Sequence, residues 1–266
     1  MNNSLSALKL KLDYHYNAFD KSKISPDPLQ FLHLFDDEKN IESIGFIASV
    51  MAYGNVVQII NSLNKILEIT GGKPFDFINN YSHAKDKSYF KNFKHRFYSS
   101  EDIHLLFLVL HKVYKEYESL KNLFLDTYNK DEFTIKDSLN RFSINLLSAA
   151  EKENPDTQLS SGIKFMFPLP QKGSACKRMN LFLRWMVRKD ELDFGIWQNE
   201  IAKNKLIIPV DTHVARVCKS IKLTRRKIAD WKMAEEITAN LRKIDPEDPI
   251  KYDFAICHIG MRKIKF

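Results

Sequence analysis

Residues 41–70 read IESIGFIASVMAYGNVVQIINSLNKILEIT. Apolar side chains recur there every three to four positions, the spacing of one helix face rather than the alternation of a strand. Gly54 interrupts the stretch. A glycine inside a helix costs roughly 1 kcal/mol, so the pattern predicts two helices with a break at Tyr53-Gly54-Asn55. Gly71-Gly72 supplies the stop, because glycine enters the left-handed C-cap conformation without strain.

The same reading extends outward. Residues 1–20 form a helix on Leu5, Leu8 and Leu12, and Ser25-Pro26-Asp27-Pro28 breaks the chain. Ser99-Ser100-Glu101-Asp102 reads as an N-cap with first-turn acids, followed by Ile103, Leu106, Leu110 and Val113 on one face. A further helix begins near Asp131 and carries Ile135, Leu139, Phe142 and Leu146. Residues 152–174, polar and broken by Pro155, Gly162, Pro168, Pro170 and Gly173, read as loop. Next comes a helix from near Ser174. A short helix over 194–202 is capped by Asp193, and another starts at Asp211. Thr224 caps the helix of Trp231, Ala234, Ile237 and Leu241, and Asp248-Pro249 opens the last one. Trp185 and Trp231, at helical spacing among apolar neighbours, are core.

Composition agrees with a helical fold. Only 8 of 266 residues are glycine, under half of what an average near 7% would give, which excludes a sandwich of many short strands. The formal charge is +8 and the pI about 9.2, a balance that attracts polyanions such as nucleic acid. The three cysteines, Cys176, Cys218 and Cys257, fit a reduced cytoplasmic protein rather than a disulfide framework. They fit no zinc motif and are too few for an iron–sulfur cubane. No metal and no cofactor is expected. There is no apolar signal core and no run of about 18 apolar residues, so no membrane association is expected.

Two segments carry candidate chemistry: GSACKR at 173–178 and PVDTHVARV at 209–217. An amine attacks a sugar C1′ only when neutral, and a free lysine has a pKa near 10.4. Lys177, in the first turn of its helix, would feel the positive helix end, which disfavours the ammonium. Asp211, at a helix start, would be held still by its cap contacts and could offset positive charge building on the sugar.

These segments resemble the helix–hairpin–helix DNA glycosylase superfamily, over roughly residues 41–266. In that family a hairpin leads into a helix whose first turn carries a lysine, and a later V-D-T-H-[apolar]-x-R-[apolar] motif delivers an aspartate. Lys177 and Asp211 occupy those places. The chain looks most like the archaeal 8-oxoguanine glycosylase branch and its uncharacterised bacterial relatives. It departs from the usual L-P-G-[apolar]-G-[RK]-[KT] hairpin, since PLPQKGSACKR at 168–178 has one glycine.

The resemblance implies an all-α chain with two helical domains and a cleft between them. A helical barrel over 41–190 would end in the Lys177 helix, and residues 1–40 would join 191–266 in a second domain. It implies a monomeric DNA N-glycosylase/AP lyase acting on double-stranded DNA with a damaged base, an oxidised purine such as 8-oxoguanine. Lys177 would form the Schiff base with Asp211 as partner. Asp253 would read the edge of the extruded base, with Phe254 or His258 stacking on it, and Asn55 would fill the vacated hole. Basic residues flank both motifs, at Lys172, Lys177, Arg178, Arg184, Arg188 and Lys189, and from Arg216 to Lys227. Of these, Lys172, Arg178 and Arg216 are the expected phosphate contacts. The alternatives are a non-catalytic helical nucleic-acid-binding protein, a glycosylase that uses water in place of lysine, and an unrelated helical protein.

Overall fold

The computed structural model describes residues 3–264 and 266; residues 1 and 2 of the expected first helix lie outside them. Among the described residues the chain is helical throughout, with turns and short 3-10 segments and no strand. In chain order the helices are α1 (Asn3–Ala18), α2 (Glu38–Met51), α3 (Val56–Ile69), α4 (Pro74–Asn79), α5 (His83–Asp86), α6 (Ser100–Tyr117), α7 (Leu120–Asp126), α8 (Lys136–Glu153), α9 (Ser161–Met166), α10 (Lys177–Val187), α11 (Thr212–Ser220), α12 (Trp231–Arg242) and α13 (Asp253–Arg262). None of the described helices is long and apolar enough to cross a membrane.

The chain groups into two compact units. One holds Ser25–Asn129 and Ser138–Leu169, the other the segments up to Ile24, Lys130–Asp137 and from Pro170 onward. The sequence boundary at 190/191 puts α10 with the 41–190 segment. In the structure α10 groups with 191–266, because Phe182 meets Trp197 edge-on at 5.1 Å and Arg184 pairs with Asp193 and Asp253.

Within the Ser25–Leu169 unit, Phe46 packs against Phe142 and Phe167, and Phe107 against Phe77, Tyr81 and Phe90. The α2–α3 break falls where expected. Gly54 has φ +94°, and a Cβ there would sit 2.0 Å from an Arg96 guanidinium nitrogen, so only glycine fits. Ser99 and Asp102 complete a capping box at α6. Glu42 is buried, and its carboxylate accepts from the Leu120 and Lys121 amides at 2.8 and 3.1 Å, satisfying donors at the start of α7.

In the other unit α1 and α11 both pack on α13, and Trp185, Trp197 and Trp231 are fully buried. Gly260 of α13 makes the α11 approach possible: a Cβ there would lie 3.0 Å from His213 Cβ and 3.1 Å from its carbonyl oxygen.

Several boundaries differ from expectation. The helix placed near Asp131 starts at Lys136, because the Ile135 amide is taken by the Lys205 carbonyl at 3.1 Å. The expected loop 152–174 contains α9, capped by Ser160, whose Ile163 and Met166 are buried. Residues 194–202 form turns rather than a helix, since Asp193 is engaged by Arg184 and Arg188. Asp230, not Thr224, caps α12; Thr224 donates to Glu236 at 2.6 Å. The last helix starts at Asp253 rather than Pro249, and Asp248 binds Arg188.

Candidate functional site

The approach to α10 is a tight loop. Gly173 has φ +84° with open space around it, its amide closes a turn on Pro170 O at 2.9 Å, and its carbonyl accepts from the Trp231 amide at 3.0 Å. The loop is thereby fastened to the first residue of α12. Cys176 then takes a left-handed backbone (φ +47°), and α10 begins at Lys177, three residues later than the Ser174 start expected. Lys177 thus stands at the first helical position, where the helix field is most positive.

The approach to α11 is extended and apolar. Leu206, Ile207, Ile208 and Val210 are buried, and the Ile208 amide is satisfied by Thr238 Oγ1 at 3.1 Å. Asp211 caps α11 as expected, and its two oxygens divide the work. Oδ1 accepts from the His213 and Val214 amides at 2.8 and 2.9 Å, while Oδ2 lies 3.0 Å from Lys177 Nζ. Burial pushes the Asp211 carboxyl up, but the Lys177 ammonium and the Val214 amide outweigh it and hold the group below the ordinary carboxylate range. The side chains of Lys177 and Asp211 are 29% and 18% exposed, so the pair is reachable from solvent while its carboxylate is fixed.

Behind this pair lies a buried ion-pair network. Arg184, two turns along α10 from Lys177, contacts Asp193 at 3.1 Å and Asp253 at 2.5 Å. Arg188, one turn further, contacts Asp190 at 3.0 Å, Asp248 at 2.9 Å and Asp193. Asp253 Oδ1 is buried without a hydrogen-bond partner. Burial, opposed by Arg184 and reinforced by the charges of Asp211 and Asp193, pushes the Asp253 carboxyl up to about 6. Asp253 opens α13. On that helix Phe254 and His258 are stacked on each other, centroids 4.0 Å apart, and both are buried. Buried Cys218 of α11 has its thiol pushed up by burial and by Asp253 and Asp211.

Lys177, Asp211, Asp253, Phe254 and His258 therefore belong to one compact unit, with Lys177 and Asp211 in direct contact. Asn55 belongs to the other, where its side chain caps α3 by accepting from the Val57 amide. Of the expected phosphate contacts, Lys172 and Arg216 are exposed, and Arg216 also donates to the Gly260 carbonyl. Arg178 is only 5% exposed, so its guanidinium lies inside the protein. Arg184 and Arg188 are likewise withdrawn from any surface role, because buried carboxylates hold them. Sequence reading missed that network. Its one legible signal is two arginines four residues apart on the apolar face of an amphipathic helix.

No curated protein and no solved structure matches the chain. A family model matches residues 27–262. The chain belongs to the family described as Protein of unknown function (DUF2400).

Proposed function

We propose that this protein is a DNA glycosylase with AP-lyase activity, which removes a damaged base through a Schiff base on Lys177. The observation that carries the reading is the 3.0 Å pairing of Lys177 Nζ with Asp211 Oδ2, each residue fixed at the start of a helix. In this reading the Lys177 amine, having lost a proton, attacks C1′ as the C1′–N bond to the base breaks. The base departs with a proton. Asp211, kept anionic by the His213 and Val214 amides, offsets the positive charge developing on the sugar. The sugar ring then opens, O4′ taking a proton as the C1′–O4′ bond breaks, to give the imine, which makes the C2′ proton acidic, and β-elimination expels the 3′ phosphate.

Supporting the reading are the PVDTHVARV motif, the tight Gly173 loop ahead of the lysine helix, and exposed basic residues such as Lys172, Lys189, Arg216 and Lys219 around both motifs. An oxidised purine such as 8-oxoguanine is the proposed lesion, and Asp253, beside Arg184, the proposed reader of its edge. A non-catalytic nucleic-acid binder would use the same basic surface without needing the Lys177–Asp211 contact.

Borohydride trapping on duplexes bearing different lesions tests the proposal. A covalent adduct is expected for the native chain, and none for Lys177→Gln with DNA binding retained. Trapping that survives Lys177→Gln would assign the nucleophile elsewhere.

A further inference from the structure

Away from the Lys177–Asp211 pair, the C-terminal end of α11 and the chain that follows it face α1 across an open groove of about 890 Å³. Its floor is apolar, formed by Leu5 and Leu8 on one side and Ile221 and Leu223 on the other, with Phe266 at its edge. Its charged lining is of one sign. Lys11, Lys222 and Lys243 border it, and no carboxylate does among the described residues. Among the described residues no carboxylate pairs with these lysines. Lys11 lies 5.6 Å from the Phe266 ring centroid, and Lys243 donates to Asn240 Oδ1 at 2.8 Å. Lys222 is exposed on a left-handed backbone (φ +61°) that turns the chain sharply after α11.

We propose that this groove docks a partner protein through an acidic segment, one in which Asp or Glu side chains flank leucine- or phenylalanine-type anchors. The apolar floor requires apolar side chains to displace its water, and the lysines require anions beside them. A DNA backbone would satisfy the lysines but bring nothing to the floor. A small molecule would be left largely open to solvent, whereas small-molecule pockets bury most of their ligand. A peptide laid along one face meets both demands. This docking is independent of the glycosylase reading.

The test uses the full chain and fluorescein-labelled synthetic peptides alternating Asp with Leu and Phe. Control peptides carry Lys in place of Asp, or Ser in place of Leu and Phe. Fluorescence anisotropy should show binding of the acidic apolar peptide alone. The triple variant Lys11→Glu, Lys222→Glu, Lys243→Glu should weaken it by about tenfold or more, because three rim charges are reversed at once. Leu8→Asp should weaken it as well. Equal binding of acidic and basic peptides, no binding of the acidic peptide, or binding unchanged in the triple variant would each overturn the proposal. So would displacement of the bound peptide by duplex DNA that the triple variant no longer retains, since the groove lysines would then be phosphate contacts.

Discussion

Arg184→Met removes one guanidinium from α10 and leaves Asp193 and Asp253 behind. The side chains of Arg184, Asp193 and Asp253 are 3%, 1% and 3% exposed, so water cannot take over the lost contacts. Breaking one side of such a buried pair costs about 3–5 kcal/mol, against a total stability of about 5–15 kcal/mol. At a denaturant slope of about 3 kcal/mol per molar urea, the midpoint should fall by more than about 1 M. Lys177→Gln removes the same charge from the same helix at a more exposed site and should cost only about 1 kcal/mol or less. Acid should relieve the Arg184→Met defect. Asp253 titrates at about 6 in the folded protein, above its unfolded value near 3.9. The folded state therefore holds a proton that the unfolded state releases between those values, and stability falls as pH rises through that window. Without Arg184 the folded value climbs further, so the defect should shrink between about pH 8 and pH 5. Arg184→Met with Asp253→Asn should recover part of it at neutral pH. A loss under about 1 kcal/mol, or one equal at both pH values, would refute the reasoning.

Asp211→Asn should slow base release by about a hundredfold or more, while urea unfolding at neutral pH changes by about 1 kcal/mol or less, because asparagine still caps α11. Since Lys177 holds the Asp211 carboxyl below its ordinary value, the native protein should lose this pair's contribution as pH falls through the folded value, and the variant has none to lose. Duplex-DNA affinity should fall with rising salt, log against log, and Arg216→Gln should reduce the slope by about one; Arg178→Gln, at a buried site, should leave the slope unchanged. Gly260→Ala should destabilise by about 1 kcal/mol in thermal unfolding. Overpacking against His213 costs about 1–3 kcal/mol, and the helix-propensity gain of about 1 kcal/mol only partly offsets it.

Features written in local chemistry were legible in the sequence. The Gly54 break, the Ser99 N-cap with its first-turn acids and the Asp211 cap depend on residues within a few positions of one another, and the structure has all three. So has it the direct Lys177–Asp211 contact, foreseen from two motifs rather than from periodicity. What failed were caps with a stronger distant partner. Asp193, Thr224 and Asp248 each look like helix starts, yet Arg184, Glu236 and Arg188 claim their side chains. Helix α9 hid among prolines and polar residues, because six residues are too few to show a period. Arg178 read as a phosphate contact because charge normally marks surface, and no local pattern reveals that it is enclosed.

The three thiols are unequal in a way that offers an experimental handle. Cys176 and Cys218 are sealed in the interior, and burial pushes the Cys176 thiol up to about 12, so neither presents a thiolate to a reagent. Cys257 is half-buried, on α13 between Asp253 and Gly260, and is the most accessible of the three. A maleimide dye or spin label added to the unmutated chain should therefore attach at one place. It would ride on the helix that carries Phe254 and His258, and its signal would follow that helix as DNA or a peptide is added, without a single engineered cysteine.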